Sequence, residues 1–183
     1  MRVVVLLILP LALSLSGCIG STQPLMGRDT RVVPFASGTT FEIYNRDDPS
    51  QPWGSGERIQ LVADNELVLG EADASGQRQK EGSSYTLHQL APHRYLAQMR
   101  LDHRTDGYRY GILEIANGEG IVNYFHCSEI DQQAFRAKGG TVRPEPQYDI
   151  QVCSLDGAPN GLELVQSVSN QPPRRQTRYV PVK

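Results

Sequence analysis

The feature that most constrains the fold is a succession of short runs between Pro34 and Asn123, rich in β-branched and aromatic residues and cut off by Gly, Asp, Asn and Ser clusters. That spacing predicts antiparallel strands joined by turns. The clearest stop is Asn117-Gly118-Glu119-Gly120, which parts the run 108–116 from 121–125. Asp64-Asn65 does the same between 58–63 and 66–70, because Asn and Asp tolerate positive φ, and Ala91-Pro92-His93 separates 85–90 from 95–101. In 39–44, Phe41 and Ile43 alternate with Thr40, Glu42 and Tyr44. Likewise Tyr95, Ala97, Met99 and Leu101 alternate with Leu96, Gln98 and Arg100, so the sheet is expected to be half-buried, with one apolar face inward.

After Cys127 the texture changes. Ser128 followed by Asp131 reads as a capping box opening a short helix over 129–138, ended by Gly139-Gly140, with Ile130, Ala134 and Ala137 on one stripe. The stretch 141–147, with Pro144 and Pro146, reads as a connector, 149–153 as a strand, and 161–168 as either a second short helix or a last strand. Cys127-Ser128 and Cys153-Ser154 form a faint echo, two similar corners each leading out of a strand. The stretch 170–183 carries Pro172, Pro173, Pro181, Arg174, Arg175, Arg178 and Lys183 without one acid. It reads as a disordered tail, either a solvated terminus or one that touches anionic head groups. The fold expected is mainly β, or β-rich α+β: an antiparallel meander forming a small barrel or sandwich, with one or two short helices near the C-terminal end.

The N-terminus has a different character. Arg2 opens an apolar run over 3–15 that is too short to span a bilayer, which takes about 20 residues. The run ends in Leu15-Ser16-Gly17-Cys18: an aliphatic residue, two small residues and a cysteine. This resembles the lipobox of bacterial lipoproteins, with a match at all four positions. The resemblance implies a diacylglyceryl group on the Cys18 sulfur, cleavage before Cys18 and acylation of the new amino group. With about 0.8 kcal/mol for each buried CH₂, two or more chains anchor a protein stably. Ile19 stands where an aspartate would imply retention at the inner membrane, so the expected address is the outer membrane, facing the periplasm. The organisation read from the sequence is then a signal peptide over 1–17, a lipidated N-terminus and flexible tether over 18–31 reaching up to roughly 45 Å, one globular domain over 32–169, and the basic tail 170–183.

Export places the two remaining cysteines, Cys127 and Cys153, in an oxidising compartment, where an even pair is expected to be bonded. The chain-entropy account assigns about 3 to 4 kcal/mol to a link closing a loop of this size. His126 beside Cys127 is the one hint of an activated thiol, yet neighbours on a strand point to opposite faces.

No sequence pattern specifies catalysis. His88, His93, His103 and His126 lack metal-ligand spacing, and Asp102-His103-Arg104-Thr105-Asp106 reads as a polar hairpin loop. Nucleophile elbows, phosphate loops and dinucleotide fingerprints are missing from the sequence. Eighteen basic against twenty acidic residues give a net charge of −2, without the footprint of a nucleic-acid binder. Neither a cofactor nor a metal is expected. Trp53, the single tryptophan, lies in a Pro/Gly-rich loop, where it either folds back to plug an open end of the sheet or stands exposed as an anchor for a partner or sugar ring. Burial of so large an apolar group favours the plug. Tyr108 and Tyr110 offer the same choice between core and binding platform. The expectation is a non-catalytic, lipid-anchored envelope protein that binds an envelope protein or polymer or assists assembly. The alternatives are a small-ligand-binding barrel module and, third, an envelope enzyme with an unrecognised site around His103 or His126.

Overall fold

The computed structural model describes residues 19–36, 39–54, 57–62, 67–71, 84–100, 107–145, 150–171, 173 and 175–182. Among these the protein is mainly β. The strands in chain order are β1 (Ile19–Ser21), β2 (Arg31–Val32), β3 (Thr40–Arg46), β4 (Glu57–Val62), β5 (Leu67–Glu71), β6 (Ser84–Ala91), β7 (Arg94–Arg100), β8 (Tyr108–Ala116), β9 (Glu119–Tyr124), β10 (Thr141–Glu145), β11 (Ile150–Ser154) and β12 (Arg175–Pro181). Two helices, α1 (Gln132–Ala137) and α2 (Gly161–Val168), complete the described elements, with a 3₁₀ turn at Arg28–Thr30.

The meander from β3 to β9 pairs antiparallel at every step. Strand β12 then enters between β9 and β3, so the pairing returns to its start. The circuit is only partly zipped. Two residue pairs join β5 to β6, at Leu67–Tyr85 and Val68–Ser84, and from Leu87 onward the same edge of β6 is taken by β2. The result is an incompletely closed, barrel-like curl. Outside it, β1 pairs with β8 on one side and, in parallel, with β11 on the other, and β10 forms the sheet's edge.

Alternation sorts the side chains. Phe41, Ile43, Tyr85, Leu87, Tyr95, Ala97, Leu113, Val122, Tyr124 and Tyr179 point inward and form one packed cluster. The expected half-buried sheet is corrected at β7 and β8, because their outer face is also covered. Leu96 (0 % exposed) and Ile112 (1 %) pack against Ile19, Leu155, Leu164, Val165 and Val168 of β1, the β11–α2 corner and α2. A strand covered on both faces reads as nearly continuous apolar sequence, as Tyr110 to Leu113 does.

Local chemistry explains the junctions. Asn117 and Gly118 hold positive φ of 54° and 81°, the geometry of a two-residue hairpin turn, so β9 resumes at Glu119 without waiting for Gly120. Gly20 must be glycine, because a Cβ there would lie 2.8 Å from the Tyr108 carbonyl oxygen. Helix α1 begins later than the capping box predicts. Residues around Ser128 form a turn, and the Asp131 carboxylate is the cap, accepting from the Ala134 N–H at 2.9 Å. Ile130 and Phe135 are buried, whereas Ala134 and Ala137 face solvent, so the predicted stripe is corrected as well. The 161–168 alternative resolves as helix, burying Leu164, Val165 and Val168.

Three further readings of the sequence are also corrected. The stretch taken for a connector forms β10, where Pro144 is tolerated because the strand is an edge. The predicted tether is folded: Ile19 is 1 % exposed, the segment crosses the outer face of β6 to β8, and it ends in β2. The predicted tail holds β12, which is central, with Tyr179 in the inner cluster and Arg175 and Arg178 partly solvated. The Asp64-Asn65 turn lies outside the described residues.

A chain ending at Ser169 leaves β3 and β9 without their shared neighbour. It is expected to show no cooperative thermal transition by circular dichroism, and Tyr179→Ala to lose about 3–5 kcal/mol in urea unfolding. Unchanged stability in either variant contradicts the central position of β12.

Candidate functional site

The disulfide forms the corner on which the second layer is built. Cys127 and Cys153 are bonded, with Cα atoms 5.3 Å apart, and both are fully buried. Each cysteine is followed by a turn and then a helix, so the Cys-Ser echo corresponds to two strand-to-helix corners clipped together. Bonding removes Cys127 as a thiol, and His126 has none to activate. Through the register Ile19–Cys153, the bonded strand β11 also carries β1.

A polar seam fastens the N-terminal segment across the sheet. The Gln98 side-chain carbonyl accepts from the backbone N–H groups of Leu25 (2.9 Å) and Met26 (3.2 Å). The Tyr110 hydroxyl lies 2.6 Å from the Ser21 hydroxyl, accepts from Leu25 N–H and donates to the Gln23 carbonyl. His88 is fully buried between the Thr30 hydroxyl at Nδ1 (2.9 Å) and the Thr86 hydroxyl at Nε2 (3.2 Å). Asp156 accepts from the Thr22 N–H (2.7 Å) and hydroxyl (2.9 Å). Burial pushes Tyr110 up to about 12, and burial likewise holds His88 below its ordinary value. Tyr110 is therefore core and seam, and half-buried Tyr108 packs beside it. Of the two readings open to these tyrosines, the structure takes the packed one.

Trp53 does not take the plug position. It lies half-buried on the outside of β3 and β12, with the Arg46 guanidinium 4.2 Å from its ring centre and that of Arg178 at 5.9 Å. The expected plug is corrected: the aromatic that closes over the inner cluster is Phe35, edge-on to Phe41 at 5.0 Å. Below Trp53 runs a connected polar strip. Arg46 Nε donates to Gln176 Oε1 (2.6 Å), Gln176 Nε2 to Asn123 Oδ1 (2.6 Å), and Arg178 donates twice to Glu119 Oε2, at 2.9 and 2.7 Å. The Tyr44 hydroxyl donates to Glu42 at 2.8 Å. The loop carrying Trp53 is tied down by Arg46 to the Pro49 carbonyl and by Gly54 N–H to the Asn45 carbonyl.

This strip, which presents the half-buried indole, guanidiniums and carboxylates over three neighbouring strands with the buried amides of Gln176 and Asn123 beneath, is the candidate binding face. Its chemistry suits reversible recognition of a polar partner by hydrogen bonds and charge. Sequence reasoning found Trp53 but missed Arg46, Gln176 and Arg178, because β3 and β12 lie at opposite ends of the chain. The one available signal was Gln-x-Arg alternating with Thr177 and Tyr179. Cys18, His103 and the loop around it lie outside the described residues. Among the described residues, no cluster of three or more His, Cys, Asp or Glu side chains is placed to hold a metal. Compared with known proteins, the chain matches no family model, no curated protein and no solved structure.

Two outcomes are expected. Replacing both Cys127 and Cys153 by Ser lowers unfolding free energy by about 3 to 4 kcal/mol, measured in urea. For His88, the unfolded chain binds a proton near pH 6.5 while the folded chain resists it. Its contribution is complete above that pH and is lost as pH falls toward the depressed folded value. Urea midpoints of the wild type should drop between pH 7.5 and 5.5 more than those of His88→Gln, and equal drops would exclude the seam histidine as the cause.

Proposed function

We propose that this chain is a lipid-anchored bacterial envelope protein that works by binding rather than by catalysis, attached through Cys18 to the outer membrane and facing the periplasm. The observation that carries the reading is the position of Ile19. The residue directly after the lipobox cysteine is already locked between β8 and β11. An acyl group on Cys18 therefore holds a folded sheet close to the lipid surface, with no slack between anchor and domain. The Trp53 strip is the face offered to an envelope protein or polymer. Of the groups that sequence reasoning offered to catalysis, Cys127 is committed to the disulfide, half-buried His126 beside it has no thiol to activate, and His103 lies outside the described residues. The inward side chains that are described form a packed cluster, which favours recognition on the surface over a ligand held in the interior.

The test is intact-mass analysis and membrane fractionation of the wild type and Cys18→Ser. The wild type should begin at an acylated Cys18 and sediment with the outer membrane. The variant should lose the acyl mass and remain uncleaved. A soluble, unacylated wild type overturns the anchor.

A further inference from the structure

Two arginines occupy inward register positions toward one end of the curl, on the strands either side of Tyr124. Along β8 the inward residues are Arg109, Gly111, Leu113 and Ile115, since a Cβ at Gly111 would touch the inward side chains of Val122 and Tyr124. Arg109 is half-buried and stands at that end of this row, paired with Met99, which pairs in turn with Tyr85. Arg175 pairs with Tyr124, and Tyr124 pairs with Gly111, so Arg175 and Arg109 flank Tyr124 on the same inner face. The Tyr85 and Tyr124 hydroxyls lie 3.1 Å apart, and Tyr179 joins them by hydrogen bonds.

Burial pushes the Tyr85 hydroxyl up, and the charges of Arg175 and Arg109 both act against that push. Arg175 already meets one anion, the Asp47 carboxylate at 3.5 Å, but that group is almost fully solvated and holds it weakly. Two guanidiniums on the strands either side of Tyr124 offer several donors in different directions, which suits a tetrahedral oxyanion better than a planar carboxylate.

We propose that this end of the curl is a phosphate-binding site, in which Arg109 and Arg175 hold the phosphate group of a small molecule or lipid headgroup and Asp47 competes for Arg175. Gly20, two residues beyond Cys18 in the chain, is the backbone partner of Arg109, so the site adjoins the first described strand.

The experiment is calorimetric titration of the full-length chain with inorganic phosphate at constant ionic strength, chloride serving as the comparator. Saturable binding is expected, weakened about tenfold or more by Arg109→Gln and by Arg175→Gln, partly restored by Arg109→Lys, and tightened by Asp47→Asn. Both arginines reach solvent, and an unchanged thermal transition certifies that each variant is folded. A second arm measures cosedimentation with vesicles of phosphatidylcholine, with and without phosphatidylglycerol. Phosphatidylglycerol-dependent binding that falls with Arg109→Gln assigns the site to headgroups, and phosphate binding without it assigns the site to a soluble phosphate. No saturable phosphate binding, or binding indifferent to both arginine substitutions, overturns the proposal.

Discussion

The constraint on which the structure depends is that β7 and β8 are apolar on both faces. An antiparallel meander of this size covers one face by curling, as the inward Tyr95, Ala97 and Leu113 do here. Leu96 and Ile112 then remain on the outside, and each such side chain left in water forgoes about 1.5–3 kcal/mol. Cover has to come from chain outside the meander, and it comes from both of its flanks. The N-terminal segment and the α2 layer, the latter fixed by the disulfide to the end of β9, lie together over that outer face. The two chain ends are thus the parts that complete the core.

Covering a sheet with an irregular segment raises a second requirement, since its backbone groups must be paired once water is excluded. The seam meets it with side chains on β6 to β8. Gln98 and Tyr110 serve the N–H groups of Leu25 and Met26 and the carbonyl of Gln23, and His88 serves Thr30. Buried polar residues in a sheet that otherwise reads as apolar are therefore the imprint of the segment lying over them.

What could be read in the sequence follows the range of the interactions. The β8–β9 hairpin was legible because Asn117-Gly118 determines its turn locally, and the existence of α1 was legible from its Gly-Gly end. The start of α1 was not, because Ser128 and Asp131 both qualify as caps and the turn after the disulfide decides between them. The tether and tail readings failed for one reason. Polarity, proline and basic charge describe a segment's own side chains, whereas the partners that ordered these segments, Gln98 for Leu25 and β3 and β9 for Tyr179, lie some seventy to more than a hundred residues away in the case of Gln98 and β3. Trp53 was found by its rarity, but its place on the outer strip depends on Arg46 and Arg178, which the register of β3 against β12 brings to one surface.

The register of β1 against β8 and β11 ties the proposed anchor to the rest of the molecule. Had 19–31 been a flexible tether, a lipid on Cys18 would have left the domain free to present any face, over a reach of roughly 45 Å. With Gly20 paired to Arg109 and Leu155 N–H bonded to the Gly20 carbonyl, the residues that directly follow the proposed attachment point are part of the sheet. Under the proposed anchoring, orientation at a membrane would then be a property of the fold. The proposed phosphate site takes Arg109 from β8, the strand that β1 joins, and Arg175 from the inner face of β12, whereas the Trp53 strip lies on the outer face of β3, β12 and β9, so a molecule anchored as proposed would hold the two surfaces at fixed and different aspects to the lipid.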